Sequence, residues 1–144
     1  ERYGKNGNIS FGLAEGALKK PGAIATTWSH DSHNLLVVYR DPESALKAVQ
    51  ALQACGGGIC AVKDSKASVL ELPVAGLMSN LPCRQMAERI ETVQKAVQEI
   101  TTPETSLLGA SIMSLTALPG VTITDFGLVD GISQTLLPVF PSER

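Results

Sequence analysis

Apolar positions along the chain fall into two periodicities. Over 82–100, Met86, Ile90, Val93, Val97 and Ile100 recur at spacings of four, three, four and three, the repeat of one helix face. The opposite face carries Arg84, Glu88, Glu91 and Lys95, which form two i,i+4 pairs suited to a solvated surface. A second helix is predicted over 42–54, with Leu46, Val49 and Leu52 as its apolar stripe. Asp41 is its N-cap, Pro42 its first residue, Glu43 lies in the first turn, and Gly56 ends it in the left-handed conformation. Short aliphatic and β-branched runs at 23–28, 35–40, 59–63 and 68–72 are bounded by turn residues and predict strands. Lys63-Asp64-Ser65-Lys66 reads as the hairpin turn between the last two. The strand at 35–40, helix 42–54 and the strand at 59–63 make a βαβ-like unit.

Beyond Thr101 the pattern weakens. Segment 107–118 is either a strand pair or a short buried helix, and 122–130 is a strand and turn. There is no repeat, low-complexity run or interdomain linker. The expected fold is α+β, or α/β: a small mixed sheet with two main helices packed on it, one domain over residues 1–144.

Composition narrows the function classes. Of the 144 residues 44% are hydrophobic but only 4% aromatic, so the core must be Val, Leu, Ile and Ala. A net charge of -2 without a basic patch argues against nucleic acid. The apolar runs are too short to span a bilayer and no signal peptide is visible. Three cysteines, an odd number, fit a reducing compartment, and we expect a cytoplasmic protein. The chain starts at Glu1 without an initiator Met, as a cut or mature product would.

Both histidines lie in Ser29-His30-Asp31-Ser32-His33-Asn34. Residues i and i+3 of a strand point to opposite faces, so the imidazoles converge only if this hexapeptide turns. Asp31 and Asn34 suit a turn, with side chains that bond nearby backbone. Three readings stay open: a hydrogen-bonded turn, a substrate or ligand wall built from all six residues, or a metal site on His30 and His33. A catalytic metal usually needs three or four protein ligands.

Other motifs carry less. Cys55 and Cys60 flank a glycine triplet at a spacing foreign to zinc knuckles, and small buried residues at a helix-to-strand junction are the simpler reading. Those glycines follow a helix instead of preceding one, so no helix N-terminus faces an anion there. The glycines at 4, 7 and 12 match neither a dinucleotide fingerprint nor a P-loop, and Asn6-Gly7 reads as a tight turn. Cys83 falls in the first turn of the second helix but has no histidine nearby in sequence.

Five segments in series resemble the C-terminal region of bacterial and archaeal adenine deaminases of the amidohydrolase superfamily. They are ERYGKNGNISFGL, KKPGAIATTWSHDSHNLLVV, ALQACGGGICAVKD, LPVAGLMS and TALPGVTITDFGLVD, which together span roughly residues 1–130. The resemblance implies a parent hydrolase, serving purine salvage or adenine catabolism, that converts adenine to hypoxanthine and ammonia. A divalent metal, Mn or Fe, would sit in an upstream (β/α)-barrel, with metal-bound hydroxide as nucleophile. This chain lacks the family's HxH pair and is too short for eight β/α units. No catalytic residue, metal ligand or cofactor of the family can therefore be placed in it. The resemblance makes this chain an enzyme part, inactive alone, that completes or supports the active site through residues 29–34. A stand-alone purine-binding module and a purely structural assembly domain are the alternatives. The expected partners are the barrel, adenine and further copies of the same protein.

Overall fold

The computed structural model describes residues 1–103 and 105–140; residues 104 and 141–144, which the single-domain reading includes, lie outside the described residues. The elements are β1 (Ala23–Thr26), β2 (Leu36–Tyr39), α1 (Pro42–Cys55), β3 (Gly58–Lys63), β4 (Lys66–Glu71), α2 (Cys83–Ile100), α3 (Leu107–Ile112), β5 (Val121–Thr124), β6 (Gly127–Asp130) and β7 (Thr135–Leu137). The fold is α+β. Strands β1–β4 form one sheet in the order β2-β1-β3-β4, and every neighbouring pair is antiparallel. Strands β2 and β3 are thus parallel to each other with β1 between them, and α1 is the crossover of this βαβ-like unit.

Alternation along the two central strands explains the layering. Ala23 and Ala25 of β1, with Cys60 and Val62 of β3, pack with Ala48 and Leu52 of α1. Ile24, Ile59 and Ala61 point the other way, to Val93, Val97 and Ile100 of α2. Both faces of β1 and β3 are covered, so these strands are apolar almost throughout instead of alternating.

The caps of α1 follow the sequence. Asp41 accepts a hydrogen bond from the Ser44 amide at 2.8 Å, and Gly56 takes the left-handed conformation at φ 81°. The stripe of α1 differs from expectation: Leu46 is 59% exposed, and the buried pair is Ala48 and Leu52. Alanines on β1 and α1 allow close approach, and the face that meets them is rotated by half a turn from Leu46. Helix α2 buries only its second half. Val93, Val97 and Ile100 are enclosed, whereas Met86 is part-buried and Ile90 is 37% exposed. Its two i,i+4 pairs form, Glu91 with Lys95 at 2.8 Å and Arg84 with Glu88 at 3.7 Å.

The hairpin turn at 63–66 is confirmed. Asp64 and Ser65 both have positive φ, 47° and 58°, as a two-residue turn compatible with strand twist requires. Strand β1 ends two residues before its predicted limit, because the Trp28 amide turns to the Thr26 hydroxyl at 2.9 Å. Segment 107–118 resolves in favour of a short helix, α3, capped by Ser106. The 122–130 region is a full hairpin, and β7 extends it to a separate three-stranded sheet, β5-β6-β7, that the pattern did not predict.

Candidate functional site

Residues 29–34 connect β1 to β2, and they do turn. The His33 amide donates to the Ser29 carbonyl at 2.7 Å, and His33 itself has φ 52°. The peptide between His30 and Asp31 is cis. The turn brings the two imidazoles together, with ring centroids 6.3 Å apart. Trp28 meets His30 edge-on at 5.5 Å, so three rings stand in series.

Two anchors hold this turn from below. Ser29, 1% exposed, shares a 2.5 Å hydroxyl contact with Ser114. Ser114 donates to the His30 carbonyl at 2.6 Å, and the His30 amide donates to the Ser111 carbonyl at 3.0 Å. A third anchor comes from the far end of the chain. Arg2 donates through Nε to the His33 carbonyl at 2.5 Å and through a terminal nitrogen to the Ala75 carbonyl at 2.7 Å. The Tyr3 hydroxyl adds a 3.2 Å bond to the same His33 carbonyl. A guanidinium suits this work because its donors are fixed in one plane.

The side chains of the six residues divide. Asp31 is 79% exposed and lies 3.3 Å from His30 Nδ1. The Ser32 hydroxyl accepts from the Asn34 amide at 3.3 Å. Asp31 and Asn34 were expected to bond nearby backbone; instead the Asn34 side chain reaches Asp125, 91 residues on, at 3.4 Å. The Asp125 carboxylate also accepts from Asn6 at 3.1 Å. His33 Nδ1 is buried and has no hydrogen-bond partner among the described residues. Sequence reasoning missed Arg2, Tyr3, Ser111, Ser114 and Asp125. None lies near 29–34 in the chain, and nothing in their local sequence marks them.

Trp28 joins the turn to a second feature. A groove of about 460 Å³ opens between the α2 face of the sheet and α2 itself, lined by Trp28, Ile59, Leu70, Leu72, Met86 and Ile90. The part-exposed N-terminal half of α2 forms one wall. Polar turn and apolar groove therefore share the indole.

Among the described residues, no group of three or more His, Cys, Asp or Glu is placed to hold a metal ion. Among the described residues, no helix is long and apolar enough to cross a membrane.

Comparison with known proteins gives this arrangement a family. The family model for the adenine deaminase C-terminal domain matches residues 1–135. The chain belongs to that family. It is 37% identical to an adenine deaminase of Clostridium perfringens, over 97% of this chain and 25% of that protein. It is 42% identical to an adenine deaminase of Moorella thermoacetica, over 90% of this chain and 22% of that protein. To adenine deaminase 2 of Shouchella clausii it is 37% identical, over 100% of this chain and 26% of the relative. The chain thus spans about a quarter of the length of these relatives. The matched span covers both the ring series and its Arg2, Ser114 and Asp125 anchors.

Proposed function

We propose that this chain is the C-terminal part of a longer adenine deaminase, which hydrolyses adenine to hypoxanthine and ammonia. In this reading a metal-bearing domain, with manganese or iron, precedes Glu1, and the 144-residue chain alone does not deaminate. The whole protein acts in the cytoplasm as a homo-oligomer. The turn of Ser29, His30, Asp31, Ser32, His33 and Asn34 borders the mouth of the active site and contacts the purine.

One observation carries the site assignment: Trp28, His30 and His33 present three rings in series on a turn fixed from both ends of the chain. Flat aromatic faces with imidazole nitrogens at their edges suit a planar base that both stacks and forms hydrogen bonds. The residues here bind and orient; proton transfer and hydroxide attack belong to the upstream domain.

The test is His30→Ala and His33→Ala, made separately in the full-length protein, with kcat, KM and metal content measured on adenine. A fall in kcat/KM of ~10²-fold with metal retained is the expected result. Near-normal kinetics with lowered thermal stability would make the turn a scaffold only.

A further inference from the structure

Residues 8–13 read Asn-Ile-Ser-Phe-Gly-Leu, small or polar at even positions and large and apolar at odd ones. Of the even positions, Asn8 and Ser10 are part-buried and Gly12 backs onto Leu128. The Asn8 carbonyl accepts from the Glu1 backbone nitrogen at 2.9 Å, and the Ser10 hydroxyl donates to the Thr124 carbonyl. A Cβ at Gly12 would stand 2.8 Å from the Leu128 side chain. The odd positions turn outward: Ile9 is 78%, Phe11 63% and Leu13 79% exposed.

This alternation is the reverse of what water favours. A surface segment with a period of two normally buries its apolar set, and a slip by one residue exchanges the faces. Here the slip is opposed, because a side chain at position 12 would press on the tip of Leu128 and displace it. The fold therefore holds three large apolar side chains outward. Phe126, 69% exposed, lies in the turn after Thr124 and adds to the apolar surface in this region.

We propose that this strip is the docking face for the portion of the longer protein that precedes Glu1. The relatives are about four times as long as the stretch they share with this chain, and the matched family is the C-terminal domain. The rest of the protein then enters at Glu1. Glu1 sits against Asn8, at the start of the strip, because the loop between them closes on itself: the Glu1 carboxylate accepts from the Lys5 amide at 3.0 Å and the Gly7 amide at 3.4 Å. The entering chain is delivered to the face it would cover. Asp125 ties this region to the histidine turn through Asn6 and Asn34, so the domain that covers the strip would also border that turn. The inference rests on the chain being a C-terminal domain and is independent of any role for His30 or His33.

The experiment is thiol labelling of Ile9→Cys and Leu13→Cys, each in a Cys83→Ser background, in the 144-residue chain and in the full-length protein. Labelling slower by at least about tenfold in the full-length protein is expected, since thiol reactivity follows exposure. Equal, fast labelling in both proteins overturns the proposal. Slow labelling of the 144-residue chain that quickens on dilution would assign the strip to a second copy and also overturn it. Slow labelling of that chain at every dilution would show the strip covered by its own domain, which overturns the proposal as well. Oxidative footprinting of Phe11 in the unsubstituted proteins reads the same protection without a variant. A null result for the His30→Ala kinetics would leave these outcomes untouched.

Discussion

The Arg2 Nε donates to the His33 carbonyl across 31 positions of chain, at 2.5 Å. The same guanidinium reaches the Ala75 carbonyl at 2.7 Å, so one side chain fastens the histidine turn to the loop that precedes α2. Lys has a single ammonium without a fork and cannot reproduce both bonds in one geometry. We expect Arg2→Lys to recover little of the loss seen in Arg2→Ala. If the turn contacts the purine as proposed, both variants of the full-length protein should raise KM for adenine more than they lower kcat, because the binding groups lose their placement while the chemistry lies elsewhere. Unchanged kinetics in Arg2→Ala would contradict a part for Arg2 in placing the turn for substrate.

Thr27 links β3 to the loop that precedes α2, just before that turn. Thr27, 5% exposed, donates through its hydroxyl to the Gly76 carbonyl at 2.6 Å and accepts there from the Gly58 amide at 2.8 Å. Thr27→Val keeps the shape and strands both backbone groups in the interior. Urea denaturation should register a loss of about 1–3 kcal/mol, the cost of leaving a buried polar group unpaired. A loss much smaller than this would mean that water enters and satisfies them.

Much of this architecture is encoded locally. Asp41, Pro42 and Gly56 mark α1 because capping chemistry acts within three or four residues. The hairpin at Asp64-Ser65 and the apolar central strands are similarly local. The stripe of α1 misled because periodicity locates a helix face but not which part of it meets the sheet; the small residues Ala23, Ala25 and Ala48 decide that. The six-residue turn was visible as an unusual polar cluster. Its anchors were not, because Arg2, Ser114 and Asp125 act across 31 to 91 residues and each is an ordinary surface residue type in its own neighbourhood. Strand β7 has three residues, too few for an alternation to declare itself.

The glycines separate by what surrounds them. Gly58 has φ 148°, and a Cβ there would lie 2.0 Å from the Leu70 carbonyl oxygen, at the end of the β3–β4 pairing. Gly4 also has positive φ, 69°, but a Cβ would meet nothing within 4 Å. Gly58→Ala should therefore yield little or no soluble folded protein, and Gly4→Ala a folded one with a small loss of about 1 kcal/mol from backbone strain. Comparable yields and melting temperatures for the two variants would contradict the close approach at Gly58.

Cysteine chemistry should follow the same logic of place. Cys60 is fully buried in β3, where burial, and then the neighbouring Cys55, push its thiol up to about 11. Cys83 is exposed at the start of α2. Treatment with iodoacetamide at pH 8 should modify Cys83 within minutes and leave Cys60 intact until denaturant is added, as peptide mass analysis would show. Modification of Cys60 in native buffer would mean that β3 opens on the labelling timescale.

Asp41 offers a pH test with a defined sign. The Ser44 amide, and then the Ser44 hydroxyl, hold its carboxyl below the usual aspartate range, against an opposing contribution from burial. A group whose folded-state pKa is lowered stabilises the fold above its unfolded pKa. That contribution disappears as pH falls through the lowered folded value. Asn at the same position caps nearly as well but carries no charge for the helix dipole. At neutral pH, Asp41→Asn should melt slightly below the natural protein. The gap should stay constant down to the ordinary aspartate range and close below it, as the native carboxyl takes up its proton. Asp41→Ala should melt lower than either at neutral pH, since it loses the bond to Ser44 altogether. A gap between Asp and Asn that is the same at every pH would assign the cap to hydrogen bonding alone, with no part for its charge.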